Sequence, residues 1–396
     1  MESTTHVRPR VLEQGLGGLV QRILRRIAAT AALALVISTG ISVARIGPAS
    51  ADGGRSGAVF TLSNDQTGNS VVAFDRAADG TLTPAGTFAT GGAGTGAGLG
   101  SQGALILGDH GSALFAVNAG SNEITSFAVR ENGLTWLQTV SSGGTRPISL
   151  TEHDGVLYVL NAGGTGNITG FNVSKSGLLA PLSGSTRALS TGAAGPAQVE
   201  FSPDGRQLVV TEKATNSIDT YTVGEDGIAS GPEVHASAGA TPFGFAFGKH
   251  GQLIVSEAFG GAAAASAASS YDLSRQGDLK TITPSAATGQ TAACWIVVTK
   301  NGRYAYAANT GSGSISGYSI AKDGALSLLN ADGRTGVTGA GSKPIDLALS
   351  TDSKFLYSLN EGSHSIVAFA VGADGSLAPI AGASTLPAAV VGLAAR

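Results

Sequence analysis

Apolar and polar positions along this chain fall into short runs, and the runs repeat. Between Pro344 and Leu377 the apolar stretches 345–349, 355–359 and 366–371 are broken by Thr351-Asp352-Ser353, Asn360-Glu361-Gly362-Ser363 and Gly372-Ala373-Asp374-Gly375. Runs of five or six residues that alternate or stay apolar, bounded by turn-formers, predict strands joined by tight turns. A fourth strand is predicted near 377–380. The same unit lies over the rest of the chain, and its second strand ends in Asn64, Asn118, Asn161, Glu212, Glu257, Asn309 and Asn360. These seven positions are 43 to 54 residues apart, the length expected of a four-stranded propeller blade.

The expected fold is therefore all-β, a seven-bladed β-propeller of four-stranded blades. The first copy, from Ala58, has no opening strand of its own, whereas residues 387–394 read as an opening strand with nothing after it. The C-terminal strand is thus expected to close the first blade, pairing two edges that would otherwise stay open.

The first 51 residues stand apart from the ring. Arg22, Arg25 and Arg26 precede the apolar run 27–44, and Ala49-Ser50-Ala51 follows as a small-x-small site. That order is that of a secretory signal peptide over 1–51, with the propeller occupying 52–396. The expectation is a secreted or extracytoplasmic protein with no membrane segment after cleavage. The alternative is an uncleaved anchor, since the run is long enough to span. Arg25-Arg26 leaves Sec and twin-arginine export both open.

Composition adds three points. The chain has 396 residues, 59 of them Gly, and only 13% are charged, as frequent hairpins require. Cys294 is the single cysteine, so burial and strand pairing hold the fold; beside Trp295-Ile-Val-Val298 it reads as an inert buried thiol. A net charge of −3 offers no basic footprint for nucleic acid. The stretch GGAGTGAGLG over 91–100 lacks the setting of a dinucleotide fingerprint and reads as a flexible connection between blades. Residues 262–268 read as an enlarged loop.

Pro203-Asp204-Gly205-Arg206 leading into Leu208-Val-Val210, Asn360-Glu361 after Leu356-Tyr-Ser-Leu359, and Phe369-x-Val371-x-x-x-Gly375-x-Leu377 resemble the lactonase family of seven-bladed propellers. That family includes 6-phosphogluconolactonase-like and 3-carboxymuconate cyclase-like enzymes. The resemblance spans 58–396 and implies chemistry on a lactone or cyclic ester, by a hydrolase or cycloisomerase.

Propeller topology places the starts of opening strands and the second-to-third strand turns on one face. Arg146, Glu212, Lys213, Glu257, Lys343, Asp346, Glu361 and His364 are expected there, and His110, His153 and His250 on the opposite face. Lactone opening needs a base to activate water and a cation or donor for the oxyanion. Glu212 or Glu257 is the candidate base and Arg146 its catalytic partner; Lys343, Asp346, Glu361 and His364 are candidate binding residues. Turn structure is the competing explanation of the Asn and Glu slots. Where the resemblance implies Pro-Arg-His or a His at the starts of opening strands, this chain has Pro196-Ala197-Gln198 and Pro344-Ile345-Asp346.

Two functions therefore stay open: an exported lactonase-like enzyme, and an extracellular ligand-binding or scaffold propeller without the family's Arg and His. A small lactone or sugar-like ligand is the expected partner. No nucleophile elbow, zinc pattern or phosphate loop is present, so no cofactor is expected and no metal ligand is assigned, with metal binding left open. Oligomeric state is not legible.

Overall fold

The computed structural model describes residues 56–108 and 111–396. The leader and His110 lie outside them. The strands form seven antiparallel sheets, one per predicted copy. In the seventh, Pro344–Leu349, Phe355–Asn360, Ser365–Val371 and Leu377–Ser384 run in order from the inside out. In the third and sixth sheets the outer strand is split in two.

The first blade is completed by the C-terminus. Val391–Ala395 pairs with Gly57–Leu62 as the innermost strand, with Thr61 opposite Leu393. The other inner strands are Leu105–Leu107, Pro147–His153, Pro196–Phe201, Pro242–Phe247, Ala293–Val298 and Pro344–Leu349. Blades are numbered here from the one that holds Gly57.

Second strands are buried on both faces, wedged between the neighbouring blades. Each therefore reads as a continuous apolar run rather than an alternating one. Three of them carry a tyrosine three residues before the terminal Asn. Tyr158, Tyr306 and Tyr357 donate their hydroxyls to the carbonyls of Gly227, Gly375 and Gly80, each at 2.9 Å. Each acceptor lies in the third-to-fourth strand turn of the next blade, so the ring is clasped blade to blade. Those turns need glycine. Gly80 has a φ of 86°, and a Cβ there would lie 2.3 Å from the Phe355 ring. Asp79 and Asp374 shape the same turns by accepting the amides of Thr81 and Ser376.

Tyr357→Phe removes one clasp across the junction of blades 7 and 1 and leaves a buried carbonyl unpaired. The expected loss is about 1 kcal/mol, measured by urea denaturation with an unchanged m-value.

Candidate functional site

The upper face carries the starts of the inner strands. Arg146, Thr241, Ala292 and Lys343, each just before an inner strand, have φ of 53°, 57°, 58° and 49°, and Gly195 has 58°. Their carbonyls accept the amides of Ala162, Ala258, Thr310, Glu361 and Lys213, which follow the second strands. The left-handed residue thus recurs around the ring and ties each strand start to the adjacent turn. Recurrence marks it as architecture, although such backbone also gathers at functional sites.

The middle of this face is filled. Residues 99–102 cross it, with Leu99 and Ser101 buried. The Ser101 hydroxyl donates to the Ile148 carbonyl at 2.8 Å, and the Trp295 indole donates to the Ser101 carbonyl at 2.8 Å. Gln102 reaches from blade 2 to blade 6, where its amide donates to the Ile296 carbonyl at 2.8 Å and accepts the Ile296 N–H at 3.1 Å. Its own N–H donates to Ala197 in blade 4. The glycine-rich stretch does connect two blades, as expected, but its end is a fixed plug rather than a flexible link.

Lys213 borders the plug. Its ammonium donates to the Gly100 carbonyl and lies 4.7 Å from the Phe243 ring centre. Burial lowers its pKa to about 8, and the charge of Arg146 adds to that shift. Phe243 packs on Trp295, ring centres 4.9 Å apart. Burial pushes the Cys294 thiol up to about 12, in keeping with an inert sulfur.

The candidate bases do not face this plug. Glu212 is completely buried. It accepts the Ser190 N–H at 3.0 Å, the Ser190 hydroxyl, and the Thr215 hydroxyl at 2.7 Å. Asp219, in the third strand of the same blade, accepts the same Ser190 N–H at 3.1 Å. Burial, then the hydrogen bond and charge of Glu212, push Asp219 up to about 8. Glu257, also completely buried, accepts the Ser269 hydroxyl and the Ser285 hydroxyl at 2.7 Å. These partners belong to outer strands and loops, so both carboxyls point away from the tunnel axis and share no partner. The exposed Arg146 is bonded through its backbone, its N–H donating to Asn122 Oδ1 at 2.7 Å. The sequence places all three on one face; the structure does not converge them on one reacting position.

The rest divide in two. Lys343, Glu361 and His364 stay together on the upper face, linked by the Glu361-to-Lys343 and His364-to-Glu361 backbone bonds. Asp346 is corrected: two residues inside the strand, it lies in the tunnel wall rather than at the face, and is 2% exposed. Three of the five Asn slots, Asn118, Asn161 and Asn309, behave like the Glu slots. Asn118 donates to the Thr125 hydroxyl at 2.8 Å and Asn309 to the Ser316 hydroxyl at 2.9 Å. They bond third-strand side chains rather than the turn backbone alone, because the end of the second strand is where buried hydroxyls converge.

Below Gln102 the tunnel opens into a cavity of about 260 Å³. Glu152, Gln198, Glu200 and Asp346 line it, with Leu105, Leu150, Val199 and Leu393 among the apolar walls. Glu152, Gln198 and Glu200 were not among the sequence candidates. The signal was there: Gln198 and Glu200 alternate on an otherwise apolar opening strand, and side chains two apart share one strand face.

The sequence model of the family described as lactonase, 7-bladed beta-propeller, matches residues 65–191, 184–259 and 262–392. The chain belongs to the lactonase family of seven-bladed β-propellers. Solved structures agree on the fold. The periplasmic gluconolactonase of Pseudomonas aeruginosa superposes with a TM-score of 0.65 at 18% identity, covering 85% of this chain and 98% of its own. A Lactobacillus plantarum protein gives 0.69 at 17% identity over 86% and 99%. A 6-phosphogluconolactonase-like protein of Bacteroides fragilis gives 0.67 at 18% over 88% and 100%. No curated protein sequence matches. In this lactonase-family propeller the slots where the resemblance implied Arg or His hold Ala197, Gln198, Ile345 and Asp346. Three of the four are buried.

Proposed function

We propose that this protein is an exported lactonase-family propeller that binds a small ligand without opening a lactone ring. One observation carries the reading. The carboxyls best placed in sequence to act as base, Glu212 and Glu257, are wholly buried and bonded to hydroxyls of outer strands and loops. A general base must reach the water it activates, directly or through one intervening water, and both carboxyls are wholly buried with their oxygens committed to protein donors. Export over 1–51 is part of the proposal; it places the protein away from cytosolic phosphorylated sugars.

Lys213 favours a second reading. An amine whose pKa is brought to about 8 by burial, beside Arg146 on the face where propellers usually bind ligands, is a recognisable functional candidate. One experiment separates the two. The protein recovered after export, with Asp52 expected as its first residue, is assayed on a panel of unphosphorylated lactones alongside Lys213→Met and the Glu212→Gln, Glu257→Gln double variant. Rates at background in all three support the binding propeller. Turnover lost only in Lys213→Met supports a hydrolase centred on that amine, and turnover lost in the double variant restores the carboxylate site.

A further inference from the structure

We propose that the tunnel below Gln102 is a binding site for a small organic cation, a primary ammonium on a short apolar body, received by the carboxyls of Asp346 and Glu200. The site lies on the other side of the plug from the upper face, so it stands whether or not that face hydrolyses a lactone.

Asp346 supplies the first observation. Its Oδ1 accepts the Leu347 N–H at 2.8 Å, while its Oδ2 is buried without a partner of hydrogen-bond geometry, in a residue that lines the cavity. A buried carboxyl oxygen left unpaired costs free energy that a donor arriving in the cavity would recover. Glu200, on the inner strand of blade 4, supplies the second. Its Oε2 accepts from Gln198 Nε2 at 2.7 Å. Gln198 is itself locked at both ends, donating to the Phe245 carbonyl at 2.9 Å and accepting the Phe245 N–H at 2.7 Å. Glu200 is therefore held in place before any ligand enters, which lowers the ordering cost of binding.

The cavity selects the ligand by what its walls offer. The amides of Gln102 and Gln198 are already committed to Ile296 and Phe245. No Lys, Arg or His lines it, so an anion finds nothing to pair with. Among the described residues no group of three or more His, Cys, Asp or Glu is arranged to hold a metal ion. What remains is carboxyl oxygens, the Thr151 hydroxyl, and leucine, isoleucine or valine side chains. An ammonium has three donors and no acceptor, and a short alkyl body suits the apolar wall.

Proton linkage gives this site a signature. Burial pushes Glu200 up to about 8 and Asp346 well above its ordinary range, against the pull on the latter of the Leu347 amide and of the Leu393 amide, which lies outside hydrogen-bond geometry. An arriving cation favours the ionised carboxyls, so binding expels protons and tightens as pH rises. Glu152, Glu200 and Asp346 are the titratable groups lining the cavity. Lys213 and Cys294 titrate near the plug at the upper face, and the inner strands of blades 1, 2 and 5 contribute no titratable side chain.

Calorimetry of the exported protein with n-butylammonium, n-butanol and calcium as probes tests the site, at about pH 6.5 and about pH 8.5. The expected result is n-butylammonium binding with proton release, about tenfold tighter at the higher pH, and no binding of n-butanol or calcium. Asp346→Asn and Glu200→Gln are each expected to weaken it tenfold or more. Both replace carboxyls held largely neutral with neutral amides, so the folded state should persist in each; should one variant not fold, the other decides. Absence of n-butylammonium binding, equal binding of n-butanol, preference for calcium, or undiminished binding in a folded variant would each overturn the proposal.

Discussion

Replacing Glu257 by alanine is expected to destabilise the fold by about 3 kcal/mol or more. Glu257 ends the second strand of blade 5, Leu253–Glu257, and is completely buried. It accepts the hydroxyls of Ser269 and Ser285, and the Gly239 N–H also favours its ionised form. Ser269 Oγ in turn accepts the Ser285 N–H at 2.8 Å, so the carboxyl anchors the third strand, the fourth strand and the loop entering the blade. The chain presses close here: a Cβ on Gly239 would fall 2.0 Å from Glu257 Oε2. Alanine orphans these donors, each at about 1 kcal/mol or more, and opens a cavity whose lining loses its contacts. Glu257→Gln keeps the volume but turns a donor toward donors, and should fall between wild type and Glu257→Ala. Urea denaturation of the three proteins checks the order. A catalytic carboxyl behaves differently: its removal stops turnover and leaves stability near or above wild type. A loss below about 1 kcal/mol would therefore reopen the enzymatic reading of this slot.

The ring and its closure were legible because they rest on local alternation and turn chemistry repeated seven times. Pro344 to Leu377 reads as strands in sequence and forms them in the structure. Residues 99–102 were not legible in the same way. Leu99-Gly100-Ser101-Gln102 is too short and mixed to carry a hydrophobic period, and the order of this stretch comes from Ile148, Ala197, Lys213, Trp295 and Ile296, far away in sequence. The candidate site failed for a related reason. Sequence position puts Glu212 and Glu257 at strand ends near the upper face, but the direction of a side chain at a strand end depends on which donors surround it. Those donors are Ser190, Ser269 and Ser285, brought in by loops and outer strands. Asp346 shows the converse. Its residue type was legible and its depth was not, since two steps along an inner strand carry a side chain from the face into the wall.

Folding stability is expected to fall by several kcal/mol as pH rises from about 5 to about 8, the reverse of the usual rise out of acid. Four carboxyl groups set the sign. Burial raises Glu200 to about 8; burial, with Glu212 alongside, does the same for Asp219. Asp346 and Glu257 are also raised, again chiefly by burial. In the unfolded chain such groups titrate near 4. Between those limits the native state binds more protons than the unfolded state, so the slope of stability against pH is negative. The contribution is complete below about pH 4 and is lost as pH climbs through about 8. The lowered carboxyls oppose this only in acid. Asp352, held at about 2 mainly by the Ser350 hydroxyl and the Lys354 amide and ammonium against a burial effect that raises it, weakens the fold only as pH drops below about 4. Maximum stability should thus lie near pH 4 to 5 rather than at neutrality. Each retained proton steepens the decline by up to about 1.4 kcal/mol per pH unit, so Glu200→Gln should flatten the slope by about one proton. Urea midpoints from about pH 4.5 to about pH 8.5 provide the check. A flat or rising profile in the wild type would mean that water or ions already stabilise the ionised carboxyls. A slope unchanged by Glu200→Gln would assign the protons to Asp219 and Asp346 instead. Saturating n-butylammonium should flatten the wild-type slope as well, because a cation in the tunnel removes the penalty for ionising Glu200 and Asp346.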